Sequence, residues 1–336
     1  MFSCKVNDKG FHIYGKIDNV KEQVKVYLKN SEDKVIEDST LINNRGEFIF
    51  NGIIEYPQKY TIIYKTKSSE KKHYIWIENT IITIEGTLND FKSIKINAGN
   101  EQRLFDKMNE KWEAFFYPEY QRLTKEKKYD SISSLVNKAA RVKLDFCVQN
   151  LNSHAALESI YLNRNGISKD SLALILQEID SSILKNKYVK SLLLYTKSPN
   201  LDVNENYLDF SAKNVTGENI RISELLKKGN PILLIFGGLT CMQEKGRKIL
   251  KEFHNSYKDK IEIVVFSDRE ECIYSLKYKM DIPLVSDMKG DHSPIKIQYN
   301  IIATPTVFLI NREGVISMKS LGYGNHVNVE ALKLLK

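Results

Sequence analysis

The chain has 336 residues, a hydrophobic fraction of 42%, a charged fraction of 27% and a formal net charge of +8. That length exceeds what one core ordinarily supports and predicts two or three domains, while no run of about 18 apolar residues exists to span a bilayer. The positive charge does not imply nucleic acid as a partner: lysines alternate with acids, as in Lys125-Glu126-Lys127-Lys128, and no binding motif accompanies them.

At the start, Met1-Phe2-Ser3-Cys4 is too short for a signal peptide. A small residue before a cysteine, followed by the polar Lys5-Val6-Asn7-Asp8, nevertheless resembles the end of a bacterial lipoprotein signal. Two expectations follow, a frayed terminus without a role or lipidation of Cys4 with membrane anchoring. The other cysteines, Cys147, Cys241 and Cys272, are far apart and have no metal-ligand spacing. No metal or organic cofactor is expected.

Residues 1–98 read as β-structure. Short runs rich in Ile, Val, Tyr and Phe cover Phe11 to Ile17, Gln23 to Leu28, Glu47 to Phe50, Tyr60 to Tyr64, His73 to Ile77 and Ile81 to Ile84. Turn signals such as Asn43-Asn44-Arg45-Gly46 and Glu55-Tyr56-Pro57 separate them. Many short strands at regular spacing predict an antiparallel β-sandwich. With Phe11-x-Ile13-x-Gly15, Val26-Tyr27-Leu28, Asp38-Ser39 and Gly46-x-Phe48-x-Phe50-x-Gly52, the segment resembles the domain of unknown function that often precedes thioredoxin domains in bacterial envelope proteins. It shows no catalytic constellation, and a lid, spacer or docking role is expected.

Residues 99–200 turn helical and are expected to form a connector. Leu104, Met108, Trp112 and Phe115 recur at spacings of three and four, predicting one face of a helix. A second helix runs through Val142, Phe146 and Cys147, with Cys147 a small buried apolar residue. Ser153 is the predicted N-cap of the next helix. His154, just inside it, is expected on the surface or in packing rather than in catalysis.

Residues 201–336 carry the readable chemistry. A hairpin and a short helical turn end at Leu225; Pro231 to Phe236 is a continuous apolar run, as in a central buried strand. It leads through Gly237-Gly238-Leu239-Thr240-Cys241 into an amphipathic helix with Ile249, Leu250, Phe253 and Tyr257. Ile261 to Phe266 reads as a second buried strand. After an insert, where Cys272, Leu276 and Met280 share a helical stripe, Ile302 to Ile316 reads as strand, turn and strand, and Val329 to Leu335 as a last helix. This order, with Thr304-Pro305 before an apolar strand and an Asn311-Arg312-Glu313-Gly314 turn, resembles the TlpA/ResA-like branch of the thioredoxin superfamily, relatives of the alkyl hydroperoxide reductase group. The resemblance implies an α/β thioredoxin-like fold, a reactive Cys241, a cis Pro305 beside it, and substrate contacts from Thr240, Met242, Thr304 and Pro305. It also implies a bacterial envelope location and partners among envelope protein thiols and disulfides.

A cysteine at a helix start meets the positive end of the helix dipole and free backbone N–H groups, which favour thiolate. The family motif Trp-Cys-x-x-Cys is Thr240-Cys241-Met242-Gln243-Glu244 here, so Glu244 stands at the resolving position. Without a second thiol, a mixed disulfide needs an outside thiol for release. The carboxylate also opposes thiolate formation, partly offset by Lys245. Ile235 stands six residues before Cys241, where many thioredoxins carry a buried acid. Three readings remain: monothiol exchange through Cys241, a redox-inactive binding or scaffolding module using the same groove, and a one-cysteine peroxidase. The last lacks the threonine expected three residues before the cysteine, a position held by Gly238.

Overall fold

Period-two alternation builds the first part of the chain. In β1 (Phe11–Asp18), Phe11, Ile13, Gly15 and Ile17 are buried, while Tyr14, Lys16 and Asp18 are exposed, as in a strand with one face on a core. The computed structural model describes residues 9–20, 22–32, 34–240, 242–267 and 282–336. It divides into two units, residues 1–192 and 193–336.

In the first unit β1 is followed by β2 (Lys25–Asn30), β3 (Ile36–Leu41), β4 (Glu47–Gly52), β5 (Gln58–Lys65), β6 (Glu70–Ile77), β7 (Ile81–Thr87) and β8 (Lys95–Asn97). They make two four-stranded sheets, ordered β4-β1-β7-β8 and β3-β2-β5-β6. Inward side chains of both sheets, among them Ile13, Phe50 and Ile82 from one and Val26, Ile62 and Ile75 from the other, form a single core. The pairs are antiparallel except β1 with β7, which run parallel from His12↔Ile81 to Asp18↔Thr87. The first sheet is thus mixed where an antiparallel one was expected. Between β4 and β7 the chain passes through the second sheet, and a connection that long does not force the antiparallel return that a hairpin does.

The spacing of glycines and rings in the motif has a packing cause. Gly15 pairs with Phe48, and Phe11 with Gly52, across β1 and β4. A Cβ on Gly15 would lie 1.9 Å from Phe48 Cε1, and one on Gly52 would lie 2.5 Å from Phe11 Cζ. Each ring occupies the space that a side chain opposite it would need.

Five helices follow in chain order, α1 (Asn100–Lys125), α2 (Asp130–Val148), α3 (His154–Leu162), α4 (Lys169–Gln177) and α5 (Lys187–Lys197). Met108 is 2% exposed but Phe115 is 40% exposed, so the predicted stripe leaves the core at its fourth member. The row of Trp112 continues instead through Phe116 and Tyr120, whose rings stack at centroid separations of 4.8 and 5.3 Å. Cys147 is fully buried, as expected, with Sγ 3.3 Å from Met108 Sδ.

Ser153 caps α3 as predicted, its Oγ accepting from Ala156 N–H at 3.2 Å. The structure adds a second capping group. Buried Glu101, at the start of α1, accepts from Ser153 Oγ at 2.6 Å, His154 N–H at 3.0 Å and Ala155 N–H at 2.9 Å. The N–H groups of the first three residues of α3 therefore all have acceptors, and a carboxylate sits where the helix dipole favours it. The His154 ring stacks on Tyr56 at 5.9 Å, and its Nδ1 lies 2.6 Å from Asn186 Nδ2. Burial holds its pKa below the ordinary imidazole value, against the raising effect of Glu101.

The second unit contains β9 (Ser211–Asn214), β10 (Asn219–Arg221), α6 (Ile222–Leu226), β11 (Ile232–Phe236), α7 (Gln243–Tyr257), β12 (Glu262–Phe266), β13 (Leu284–Ser286), α8 (Pro294–Gln298), β14 (Thr306–Ile310), β15 (Ile316–Leu321) and α9 (Asn325–Lys333). One sheet runs β10-β9-β13-β12-β11-β14-β15. Every residue of β11 is buried. Ile232, Leu234 and Phe236 enter one core, and Leu233 and Ile235 enter the core on the opposite face, which is why the run is apolar without alternation. No helix of the described residues is long and apolar enough to cross a membrane.

Two outcomes are expected. Glu101→Ala leaves three donors without their acceptor and should destabilise the first unit by about 3 kcal/mol, read as a lower denaturant midpoint with an unchanged slope. His154 contributes stability in full above the unfolded imidazole value of about 6.5, and that contribution is lost as pH falls through its lower folded pKa, because the unfolded chain takes the proton first. A midpoint series across that window in the native and His154→Asn chains should show a shallower acid decline in the variant.

Candidate functional site

Where β11 ends, the chain must leave the sheet. Gly237 N–H still donates to Phe266 O at 2.7 Å, extending the pairing with β12 by one bond. Gly237 and Gly238 then adopt φ of +62° and +90°, the left-handed region that glycine enters without a Cβ penalty. Leu239 is 1% exposed and anchors the loop in the core that holds Leu250 and Phe253 of α7. Met242 N–H donates to Gly238 O at 2.7 Å. From α7, Arg247 Nη1 donates to Leu239 O at 2.9 Å and ties the loop to the helix that follows it.

A second loop meets the first. The Thr304–Pro305 peptide bond is cis, as the family resemblance implies. Thr306 Oγ1 donates to Ala303 O at 2.6 Å, and Gly322 N–H donates to Pro305 O at 2.8 Å, so both flanks of the proline are hydrogen-bonded. Gly238 lies directly against it. A Cβ on Gly238 would sit 2.5 Å from Pro305 Cβ and 2.8 Å from Pro305 N, a separation that van der Waals repulsion forbids.

The residues expected at the site are distributed as follows. Thr240 and Thr304 are exposed, and Met242 and Pro305 are partly buried. Glu244 is exposed in the first turn of α7. Ile235 is fully buried between Val265 of β12 and Val307 of β14, so an apolar side chain fills the position of the expected acid. Cys241, Cys4 and Cys272, with the stripe through Leu276 and Met280, lie outside the described residues. Two residues that shape the loop were not among those expected, Gly238 as the seat for Pro305 and Arg247 as the tie to Leu239. Consecutive glycines before the cysteine were the visible signal for the first; an arginine at i+6 from the cysteine is too common a pattern to have marked the second.

Residues 11–105 match a family described as a domain of unknown function (DUF4369). The thioredoxin-like protein YneN of Bacillus subtilis is 26% identical over 116 residues, 32% of this chain and 65% of that protein, so the chain spans just under two thirds of this relative's length. The thioredoxin domain of a thiol-disulfide oxidoreductase from Bacteroides vulgatus aligns at 22% identity and a TM-score of 0.36, over 40% of this chain and 99% of that one. The C-terminal domain of a thiol-disulfide oxidoreductase from Bacteroides thetaiotaomicron aligns at 24% identity and 0.36, over 40% and 96%.

Gly238→Ala should destabilise the second unit by about 2 kcal/mol, since the added carbon must push apart two hydrogen-bonded loops and occupy a backbone conformation that disfavours it. Thermal unfolding of the variant beside Gly217→Ala tests this: Gly217 also has positive φ but has nothing within 4 Å of its Cβ position, so the difference between the two isolates the contact with Pro305.

Proposed function

We propose that the second unit, a thioredoxin-like domain, acts as a monothiol relative of the thiol–disulfide oxidoreductases, with Cys241 exchanging with protein disulfides or thiols in the bacterial cell envelope. The observation that supports this reading is the seat of Gly238 against Pro305, three residues before Cys241 in the chain. In the proposed step the Cys241 thiolate attacks one sulfur of a partner disulfide. The partner's S–S bond breaks, a mixed disulfide forms, and the other sulfur leaves as a thiolate that takes up a proton. Release then needs a second thiol from outside the chain, because Glu244 has none to offer.

Electrostatics favour a modestly activated thiol. In this reading the N-terminus of α7 and the cations of Lys245 and Arg247, close to Cys241 in sequence, would favour its thiolate, and the carboxylate of Glu244 would act against them. Thr240, Met242, Thr304 and Pro305 are proposed to line the partner's path. Lipidation of Cys4 would hold the protein at a membrane surface, consistent with an envelope role.

Ile235 favours a second reading, in which the same groove binds a protein ligand without reacting. A fully buried aliphatic side chain cannot move protons to or from a thiol. The peroxidase reading fares worse: the position of its threonine is Gly238, at φ +90°, a conformation that a β-branched residue avoids.

Alkylation of Cys241 as a function of pH, with Cys241→Ser as the blank, discriminates the first two. Exchange activity predicts a thiol pKa below the free value of about 8.5 and a glutathione mixed disulfide that persists until excess thiol is added. An ordinary thiol pKa together with no trapped mixed disulfide would leave the binding reading alone.

A further inference from the structure

The α1–α2 pair leaves one of its flanks open. Met108 and Leu123 of α1 and Leu135, Ala139 and Cys147 of α2 are buried and mark the seam between the helices, which the short connection through residues 126–129 returns antiparallel. At about 100° per residue, Asn109, Phe116 and Tyr120 fall on one flank of α1, and Val136, Ala140 and Lys143 on one flank of α2. Lys143 Nζ donates to Asn109 Oδ1 at 3.3 Å, so these two flanks face the same way. Lys111 Nζ, 5.0 Å from the Phe146 ring centroid, marks the opposite side.

The shared flank is aromatic on α1 and small on α2. Tyr117 joins the stacked row of Trp112, Phe116 and Tyr120, 5.9 Å from the first ring and 5.7 Å from the second. Tyr117, Tyr120 and Val136 are exposed, and Trp112, Phe116 and Ala140 are half-buried. A contiguous patch of this kind marks an interface, since covering the rings recovers the free energy of their hydration. Glu113 stands among the rings and Glu110 at their border, while Arg141 borders the α2 side, all three exposed. None of them has an ion pair among the described residues.

These charges select the occupant. An anionic lipid surface would meet two carboxylates, whereas membrane-surface helices carry Lys and Arg around their apolar face. A second copy, turned about a two-fold axis parallel to the helices, sets α1 of one copy on α2 of the other. The rings then enter the shallow side at Val136 and Ala140. Glu110 and Glu113 come level with Arg141, because the Asn109–Lys143 bond places that part of α1 beside it. An axis across the helices would instead lay α1 on α1, whose residues 109–124 on this flank include no Lys or Arg.

The geometry points to homodimerisation through this flank, two α1–α2 pairs closing into a four-helix bundle with Tyr117 and Tyr120 of each copy on Val136 and Ala140 of the other and Arg141 answering Glu113. About 20 Å of two helices, each about 10 Å wide, makes a small interface, so the dimer should dissociate in the micromolar range. The surface is independent of the thiol chemistry of Cys241.

Sedimentation equilibrium of the full chain from about 1 to 200 μM should show reversible monomer and dimer. Tyr117→Gln with Tyr120→Gln changes only exposed side chains and should weaken association about tenfold or more. Glu113→Arg and Arg141→Glu should each weaken it, and the chain carrying both should regain it, a recovery that a merely destabilised helix would not show. A monomer across the whole range, a dimer indifferent to the tyrosine pair, or no recovery in the double charge exchange would each overturn the assignment. So would a monomer that binds vesicles of phosphatidylethanolamine and phosphatidylglycerol through the same tyrosines, which would give the flank to a lipid surface.

Discussion

Between Gly238 and Pro305 there is no room for a side-chain carbon, and the surrounding backbone is arranged to keep it so. Met242 N–H and Arg247 hold one loop from the helix side, and Gly322 N–H and Thr306 hold the other from the sheet side. Both loops hang from β11 and β14, adjacent strands whose residues are all buried. Because protein interiors pack nearly as densely as crystals, this stack of contacts transmits position well. What the core fixes in Ile235 and Val307 it fixes in the loops that those strands carry.

The first unit relies on a different device. A charge, that of Glu101, is placed among donors at a helix start, and three hydrogen bonds converge on one carboxylate. Such an arrangement holds α1 and α3 in a defined register, since moving either helix leaves buried polar groups unpaired. The β1–β4 pair achieves the same definition without charge, by setting Phe48 against Gly15 and Phe11 against Gly52.

Much of this was legible from residue pattern. The continuous apolar run at residues 231–236 announced a strand buried on both faces, and the six alternating runs near the N-terminus all fall within strands or within two residues of them. β3 was missed as a strand because its side chains are mostly exposed and polar, and β8 because three residues carry no period. Phe115 was read into the wrong row because a spacing of three and a spacing of four are equally helical, and only the stacking of Trp112 on Phe116 decides between them. The Glu101 cap lies 52 residues from Ser153, a separation over which no local pattern speaks. At the site, Thr304-Pro305 and the loop into Cys241 were visible as a motif, but the contact that joins them is a property of space rather than of spacing.

Returning a thiol to position 244 tests the thiol-exchange reading most directly. In a Glu244→Cys chain, reduction of insulin disulfides in the presence of dithiothreitol should become catalytic and exceed the rate of the unaltered chain, with the gain abolished by Cys241→Ser. If Glu244→Cys folds normally and yet reduces insulin no faster than the Cys241→Ser chain, the loops around Gly238 and Pro305 no longer support thiol exchange, and the account given for Cys241 is wrong.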